Sequence, residues 1–297
     1  MAEMIPFSKY EGLGNDFALI DDPLGRFEVN EKLAASICDR HLGIGADGLL
    51  VVTASRVSGA VARMRYWNSD GSPAAMCGNG IRCMAKHVRD RHGVPLAPFA
   101  LDTDAGLVHC RITAEGDAVS RVEVELVAPR TAAAAVPVVL PEGSREIVRE
   151  SNGRAVRFLP LSVGNPHAVT FDVDQAGEWT ILGPALERDP AFPERTNVEF
   201  ARLEGDGELR LDVFERGCGF TRACGSGAAA AVAAACLTDR VPWGRTVLVH
   251  LPGGDLKVTA PGPDRPVLIE GPVRRVFEGT FIVRHLVPGS RDSRPAP

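Results

Sequence analysis

The feature that most constrains this chain is a four-residue pattern that occurs twice. Cys77-Gly78-Asn79-Gly80 and Cys224-Gly225-Ser226-Gly227 both read Cys-Gly-x-Gly, and each lies at the N-terminal edge of a predicted helix. The two copies are about half of the 297-residue chain apart. A single copy would indicate only a tight turn, whereas a pair at this separation suggests that the chain is built twice from one plan.

Polar residues upstream of each cysteine recur in the same order. Asn68 lies nine residues before Cys77, and Glu215 lies nine residues before Cys224. Further upstream, the Gly-Asn pair at 14–15 is matched by Gly-Asn-Pro-His at 164–167. We therefore predict a duplicated domain in which each copy presents one cysteine to a shared cleft.

Length and composition agree with two soluble domains. Hydrophobic residues make up 45% of the chain, charged residues 24%, and the formal net charge is −5. This mildly acidic balance gives no reason to expect nucleic acid or an anionic membrane as a partner. The N-terminus lacks the pattern of a secretory signal, and the most apolar predicted helix, about 11 residues long, is too short to span a bilayer. We expect a cytoplasmic protein whose seven cysteines remain thiols.

Hydrophobic periodicity predicts many short strands and one longer helix in each half, which favours an α+β fold. Each half is expected to be a curled, mostly antiparallel sheet around a central helix, and the two halves to be pseudo-symmetric. The predicted division is 1–129 together with a returning strand at 272–285, then 130–271, then a disordered tail at 286–297. Helices are predicted at 31–41, 81–91, 179–186 and 227–237, and the last strands at 267–270 and 277–283.

The segment Gly43-Ile-Gly45-Ala-Asp47-Gly48 matches the glycine spacing of a dinucleotide fingerprint. That fingerprint must follow a strand and begin a helix, whereas this segment follows a predicted helix and precedes a strand. We therefore predict no nucleotide site here.

A thiol at a helix N-terminus lies near free backbone N–H groups, which lower its pKa and favour the thiolate. Without side chains at the neighbouring glycines, the same N–H groups form a cradle for a carboxylate. Two such turns facing each other would place an acid and a base on opposite sides of one carbon. This arrangement suits the inversion of an amino acid stereocentre, and because the chain has few lysines we predict that no cofactor takes part.

Cysteines also serve in packing, in disulfides and in zinc sites. Buried cysteines are often only packing residues, and this is our prediction for Cys38, Cys83, Cys110 and Cys236. A disulfide is disfavoured by the compartment, and the cysteine spacings do not match a zinc site, so no metal is predicted. Glu215-Arg216 is either a surface ion pair or a carboxylate that holds a substrate ammonium, and His167 is either structural or assists the chemistry.

Taken together, the motifs resemble those of the diaminopimelate epimerase family over residues 6 to 283. They are 12–17 (Gly-Leu-Gly-Asn-Asp-Phe), 68–71 (Asn-Ser-Asp-Gly), 76–80 (Met-Cys-Gly-Asn-Gly), 164–167, 195–197 (Arg-Thr-Asn), 215–217 (Glu-Arg-Gly) and 223–227 (Ala-Cys-Gly-Ser-Gly). The resemblance implies cofactor-independent interconversion of LL- and meso-diaminopimelate, on the pathway to lysine and the cell wall. It also implies a homodimer.

The resemblance also implies roles for individual residues. Cys77 and Cys224 would transfer the proton, assisted by His167 and Glu215. Substrate would be held by Asn15, Asn68, Gly78, Asn79, Asn165, Asn197, Glu215, Arg216, Gly225 and Ser226. Three positions need attention: Gly48, where many members have glutamine; Phe220, where glutamate is frequent; and Cys218, a third thiol near the site.

Four alternatives compete with this interpretation. A proline or hydroxyproline racemase also uses paired cysteines, but we would expect histidine at Asn79. Another amino acid racemase on the same scaffold is harder to exclude. A binding module would not need both thiols, and a phenazine-type isomerase would need a carboxylate in place of Cys77.

Overall fold

The computed structural model describes residues 3–173 and 177–283. Its helices are α1 (Glu31–Cys38), α2 (Gly78–His92), α3 (Glu178–Glu187) and α4 (Gly225–Leu237), with a short 3-10 helix at Ala133–Ala135. The first half holds strands β1 (Glu3–Gly12), β2 (Asn15–Asp21), β3 (Gly48–Thr53), β4 (Ala60–Asn68), β5 (Pro73–Ala74), β6 (Phe99–Thr103), β7 (Gly106–Ala114) and β8 (Val119–Glu125). The remaining strands are β9 (Ile147–Ser151), β10 (Arg154–Ser162), β11 (Pro166–Thr170), β12 (Asn197–Gly205), β13 (Glu208–Glu215), β14 (Gly219–Phe220), β15 (Thr246–Leu251), β16 (Gly254–Thr259) and β17 (Leu268–Val283).

The order of strand pairing is the same in both halves. In the first half, β1 pairs with β2 antiparallel, β2 with β3 parallel, β3 with β4 antiparallel and β4 with β6 parallel. Strands β10, β11, β12, β13 and β15 repeat this series in the same directions. The predicted α+β fold of two pseudo-symmetric halves, each a mostly antiparallel sheet around a helix, is thereby confirmed.

Helices α2 and α4 occupy the centres of the two halves. The alanines of α4 from 228 to 235, together with Val232, are completely buried. Because alanine side chains are small, the sheet strands approach this helix closely on every side. In α2 the buried face includes Ile81, Met84 and Val88, and Gly93 ends the helix in the left-handed conformation (φ 66°).

Both central helices begin earlier than predicted, directly after their cysteines, so that Cys77 and Cys224 are the N-cap residues. Helix α1 is shorter than predicted and ends at Cys38. The Asp39 carboxylate accepts hydrogen bonds from the N–H groups of His41 and Leu42, both at 2.7 Å, and so forms a turn there. Strands β6, β7 and β9 had not been predicted.

The prediction of two separate strands near the C-terminus was wrong, because residues 268–283 form one long strand, β17. Gly271 and Pro272, which lie between the two predicted strands, pair with Val122 and Arg121 of β8. The same strand then pairs with β1 from residue 274 onward, so it contacts the sheets of both halves. The domain boundaries stay a prediction, and the predicted tail at 286–297 lies outside the described residues, as do 284–285 of the returning strand.

In the part of the chain that the structure describes, the helices lack the combination of length and apolar character needed to cross a membrane.

Candidate active site

The two repeated turns meet at the junction of the halves. Asn79 Nδ2, in the first turn of α2, donates hydrogen bonds to Asn15 Oδ1 at 3.1 Å and to the carbonyl oxygen of Ala223 at 3.4 Å. Ala223 directly precedes Cys224, so this side chain joins the start of one cysteine helix to the start of the other. The structure thus brings together the two motifs that the sequence separates by half its length.

A hairpin of the first half holds Asn15 at this junction. Leu13 and Gly14, both with positive φ, link β1 to β2, and Leu13 packs onto Gly253 of the second half. A Cβ at Gly253 would lie 2.0 Å from the Leu13 carbonyl oxygen, so only glycine permits this approach. Asn15 Nδ2 also donates to Asp47 Oδ2 at 2.8 Å, which orients its amide toward Asn79.

Arg82, one turn into α2, fills the space between the two helix starts. It is 1% exposed, and its Nη2 donates to Asn79 Oδ1 at 2.7 Å. Its guanidinium approaches three residues that have no side chain, Gly12, Gly225 and Gly271. Nε has no hydrogen-bond partner, and among the described residues no carboxylate forms an ion pair with this cation. Arg82 was not among the predicted site residues, because it shares its helix face with other polar residues, Asn79 and Lys86, and nothing in the sequence distinguishes it from them.

On the other side of the junction, Glu215 lies at the end of β13 beside Cys224. Thr221 Oγ1 donates to Glu215 Oε1 at 2.5 Å, and the Cys224 thiol is a further hydrogen-bonding neighbour. Burial raises the pKa of the Glu215 carboxyl, and these two hydrogen bonds oppose the shift. Cys224 Sγ accepts a hydrogen bond from Gly227 N at 3.4 Å and lies 3.5 Å from Ser226 Oγ.

His167 is completely buried and is held by two polar neighbours. Its Nδ1 lies 2.6 Å from Glu199 Oε1, and its Nε2 lies 2.9 Å from Asn165 Oδ1. Glu199 is also completely buried, and a Cβ at Gly227 would lie 3.0 Å from its Oε1. The carboxylate is therefore directly beneath the Cys224 turn. Glu199 was not among the predicted site residues; the signal was a carboxylate between the apolar residues Val198 and Phe200, two residues after Asn197.

Asn68, Asn197 and Arg216, also predicted as ligands, each make hydrogen bonds within the protein. Asn68 accepts a hydrogen bond from Tyr66 Oη at 2.9 Å and donates to Ser72 Oγ at 3.0 Å. Asn197 Oδ1 accepts from the backbone N–H of Arg216 at 3.0 Å. The exposed Arg216 guanidinium donates to the Glu194 carbonyl oxygen at 3.0 Å.

The pKa of both cysteine thiols is raised, which is opposite to the direction predicted from their helix positions. For Cys77 burial is the largest influence, the backbone N–H groups of Gly80 and Asn79 lower the pKa, and the charge of Glu215 raises it. For Cys224 burial again comes first, followed by the charges of Glu215 and Glu199, so that its pKa lies well above the ordinary value. The N–H groups act in the predicted sense, but loss of water around the thiol outweighs them.

The structure gives a physical reason for Gly48. A Cβ there would lie 2.6 Å from Cε2 of the Tyr66 ring and 2.8 Å from the Trp67 carbonyl oxygen, so the tyrosine ring occupies the space of a side chain at 48.

Phe220 packs edge-on against Trp179 and Phe214, with ring centroids 4.4 and 4.8 Å away. Cys218 is exposed, and burial and the charges of Glu215 and Asp70 raise its pKa.

Comparison with known proteins gives one family. The family model described as diaminopimelate epimerase matches residues 7–131 and 160–276. The chain belongs to the diaminopimelate epimerase family.

Curated relatives of this family align along almost the whole chain. The diaminopimelate epimerase of Desulfitobacterium hafniense is 41% identical over 279 residues, covering 92% of this chain and 97% of its own. That of Geobacillus thermodenitrificans is 39% identical over 287 residues, covering 94% and 97%. Among solved structures, a hydroxyproline epimerase from Agrobacterium vitis superposes with a TM-score of 0.68 at 16% identity, covering 96% of this chain and 93% of that one. At this identity the likeness shows the fold alone.

Proposed function

We propose that this protein is an isomerase that interconverts LL- and meso-diaminopimelate by proton transfer between Cys77, Cys224 and the substrate α-carbon, without a cofactor. The observation that carries the proposal is the Asn79 hydrogen bond to the Ala223 carbonyl, because it holds the two cysteine turns at one place. Membership of the family supplies the substrate. An inversion needs one group on each face of the stereocentre, and in this proposal each of the two helix starts supplies one of these groups.

In this proposal the glycines of each turn leave the backbone N–H groups open to a carboxylate. Apart from its chain neighbours and the backbone of its own helix, no atom of residues 3–173 and 177–283 lies within 4 Å of the position that a Cβ would take at Gly78, so an anion can approach this helix start. Arg82 adds a buried positive charge behind the same helix start. The residues proposed to hold the substrate are Asn15, Asn68, Gly78, Asn79, Asn165, Asn197, Glu215, Arg216, Gly225 and Ser226.

Because the pKa values of both thiols are raised, neighbouring groups must help to ionise the thiols. A turnover of about 10 s⁻¹ requires an activation barrier of about 16 kcal/mol. A neutral thiol is too weak a base to lower the barrier to this height. Glu215 lies in hydrogen-bonding range of the Cys224 thiol and can accept its proton. His167 contacts Glu199 and Asn165 rather than a cysteine, so we propose that it acts through Glu199, as a positioning residue.

The remaining expectations rest on the resemblance and the composition. We infer a cytoplasmic homodimer that serves the biosynthesis of lysine and of the cell wall. Light scattering of the purified protein during size-exclusion chromatography tests the dimer, and a single species of about 32 kDa, the mass of one chain, would contradict it.

The activity is tested by proton NMR of reduced, purified protein with LL-diaminopimelate in D₂O, without added cofactor. We expect loss of one α-proton signal through deuterium exchange, together with formation of the meso isomer. Proline and 4-hydroxyproline in parallel samples should not exchange. Exchange with proline but not with diaminopimelate would be consistent with the two-thiol mechanism and would contradict the proposed substrate.

A further inference from the structure

A second group of reactive side chains lies at the far end of α2. Asp21 ends strand β2, and His87 and His92 belong to the last part of α2. One potential ligand atom from each residue lies within 4.8 Å of the corresponding atoms of the other two. His87 follows Cys77 by ten residues, so at the helical rise of 1.5 Å per residue the group is about 15 Å from the start of the helix.

The two imidazoles converge on one carboxylate oxygen. His92 Nε2 lies 2.8 Å from Asp21 Oδ2, and His87 Nε2 lies 3.2 Å from the same oxygen. Donor atoms bound to one metal ion at about 2.0–2.1 Å lie roughly 3 Å apart, so two of the three separations already suit a shared ion. The third requires only that the exposed His92 ring move inward.

His87 carries the decisive observation. It is 2% exposed, and its Nε2 makes no properly aligned hydrogen bond, although it points at Asp21. Its other nitrogen, Nδ1, lies 3.2 Å from the hydroxyl of the buried Tyr10. A metal-ligating histidine commonly uses its second nitrogen in this way, since the hydrogen bond fixes the tautomer and the ring orientation.

We propose that Asp21, His87 and His92 form a binding site for a divalent transition-metal ion such as Zn²⁺. Two imidazole nitrogens and one carboxylate are a donor set that Zn²⁺ accepts, with a fourth position open to solvent on the His92 side. The carbonyl groups at the C-terminus of α2 favour a cation there. The surrounding charges are mixed, because Arg91 and Arg275 lie close by but are both paired with Glu278.

A bound ion would connect the end of β2 to the last turn of α2. Both elements contribute to the junction at their other ends, through Asn15 and Cys77, so the ion would stabilise the first half without touching the cysteines. Binding is independent of the proposed epimerase activity.

The test uses the full-length, reduced protein after chelator treatment and desalting. Equilibrium dialysis against Zn²⁺ should give one tightly bound ion per chain and a rise in the unfolding temperature. Co²⁺ should give d–d absorption bands without the thiolate charge-transfer band that cysteine ligation produces. His92→Gln, on the exposed side, should weaken Zn²⁺ binding at least about tenfold, and Asp21→Asn should do the same.

His109→Gln serves as the matched control, since His109 is an exposed histidine of β7 that lies outside the group, and its affinity should equal that of the unmodified protein. Unchanged Zn²⁺ affinity in both Asp21→Asn and His92→Gln would overturn the proposal. A thiolate charge-transfer band with Co²⁺, or no binding by the folded protein at 100-fold molar excess of Zn²⁺, would overturn it as well.

Discussion

The two cysteine turns have the same sequence pattern and the same place in their halves, yet the charged residues around them differ. Leu50, the third residue of β3, lies against the Cys77 turn, where a Cβ at Gly80 would meet its Cδ2 at 3.0 Å. At the equivalent place in β12 stands Glu199, which lies against the Cys224 turn.

Helices α2 and α4 also differ in the charge that they place behind each cysteine. The fifth residue of α2 is Arg82, whose charge lowers the pKa of Cys77, and the fifth residue of α4 is Ala229. The charge of Glu215 raises the pKa of both thiols. Cys77 also has the Arg82 cation behind it and an apolar strand below, whereas Cys224 has Glu199 as a second carboxylate. The two halves each supply one thiol at a helix start. Because Arg82 lowers the pKa of Cys77 and Glu199 raises that of Cys224, we expect Cys77 to ionise more easily than Cys224.

The largest effect is expected from removing either thiol. Cys77→Ser and Cys224→Ser should each lower epimerisation by a factor on the order of 10³, because a serine hydroxyl is a far weaker acid and base at neutral pH. The NMR exchange assay measures this. Cys218→Ser is the matched control and should stay within about twofold of the unmodified protein; near-normal turnover in both single variants would sink the two-thiol mechanism.

Removing the positive charge of Arg82 should change the reactivity of Cys77 but not that of Cys224. Arg82→Met should slow alkylation of Cys77 by iodoacetamide at pH 8 by about tenfold, since loss of the positive charge raises the thiol pKa further. Arg82→Lys should recover part of the rate. Peptide mapping by mass spectrometry in a Cys218→Ser background separates Cys77 from Cys224, whose rate should change little; equal slowing of both would indicate a general loss of structure.

The raised thiol pKa values predict the pH dependence. A thiol with a pKa above its usual range is mostly protonated at pH 7, so the thiolate fraction, and with it the alkylation rate, should rise about tenfold per pH unit from 7 to 9. Cys224 should require a higher pH than Cys77. A plateau already at pH 7 for either residue would show that its helix N-terminus outweighs burial after all.

A smaller effect, faster instead of slower alkylation, is expected when the charge of Glu199 in the second half is removed. Glu199→Gln removes a negative charge that raises the pKa of Cys224, so alkylation of Cys224 should become a few times faster while that of Cys77 is unchanged. Glu204→Gln, at an exposed carboxylate of the same strand, is the control. Slower alkylation of Cys224 would mean that Glu199 assists ionisation of the thiol, contrary to this account.

Sequence patterns worked where the determinants are local. Helix periodicity located all four α-helices to within a few residues, and the repeated Cys-Gly-x-Gly located both turns, because glycine and N-cap preferences act over one turn of chain. Strands β6 and β7 were not predicted, although they form a local hairpin. Residues 268–283 were predicted as two strands because the pairing that makes them one, with β8 and β1, joins segments distant in sequence. Pro272 is accommodated in a strand that β8 flanks over residues 268–274.

The amino-acid sequence by itself determined the duplication, the two thiols at two helix starts and the polar residues repeated around them. Only the tertiary structure decided which charges face each thiol. Arg82 and Glu199 are ordinary charged residues in the sequence, and they gain influence because folding removes water from around them and places one behind each cysteine turn. Burial also decided the direction of the thiol pKa shifts, since desolvation arises from packing against the whole fold, whereas the opposing helix N–H groups belong to a single turn.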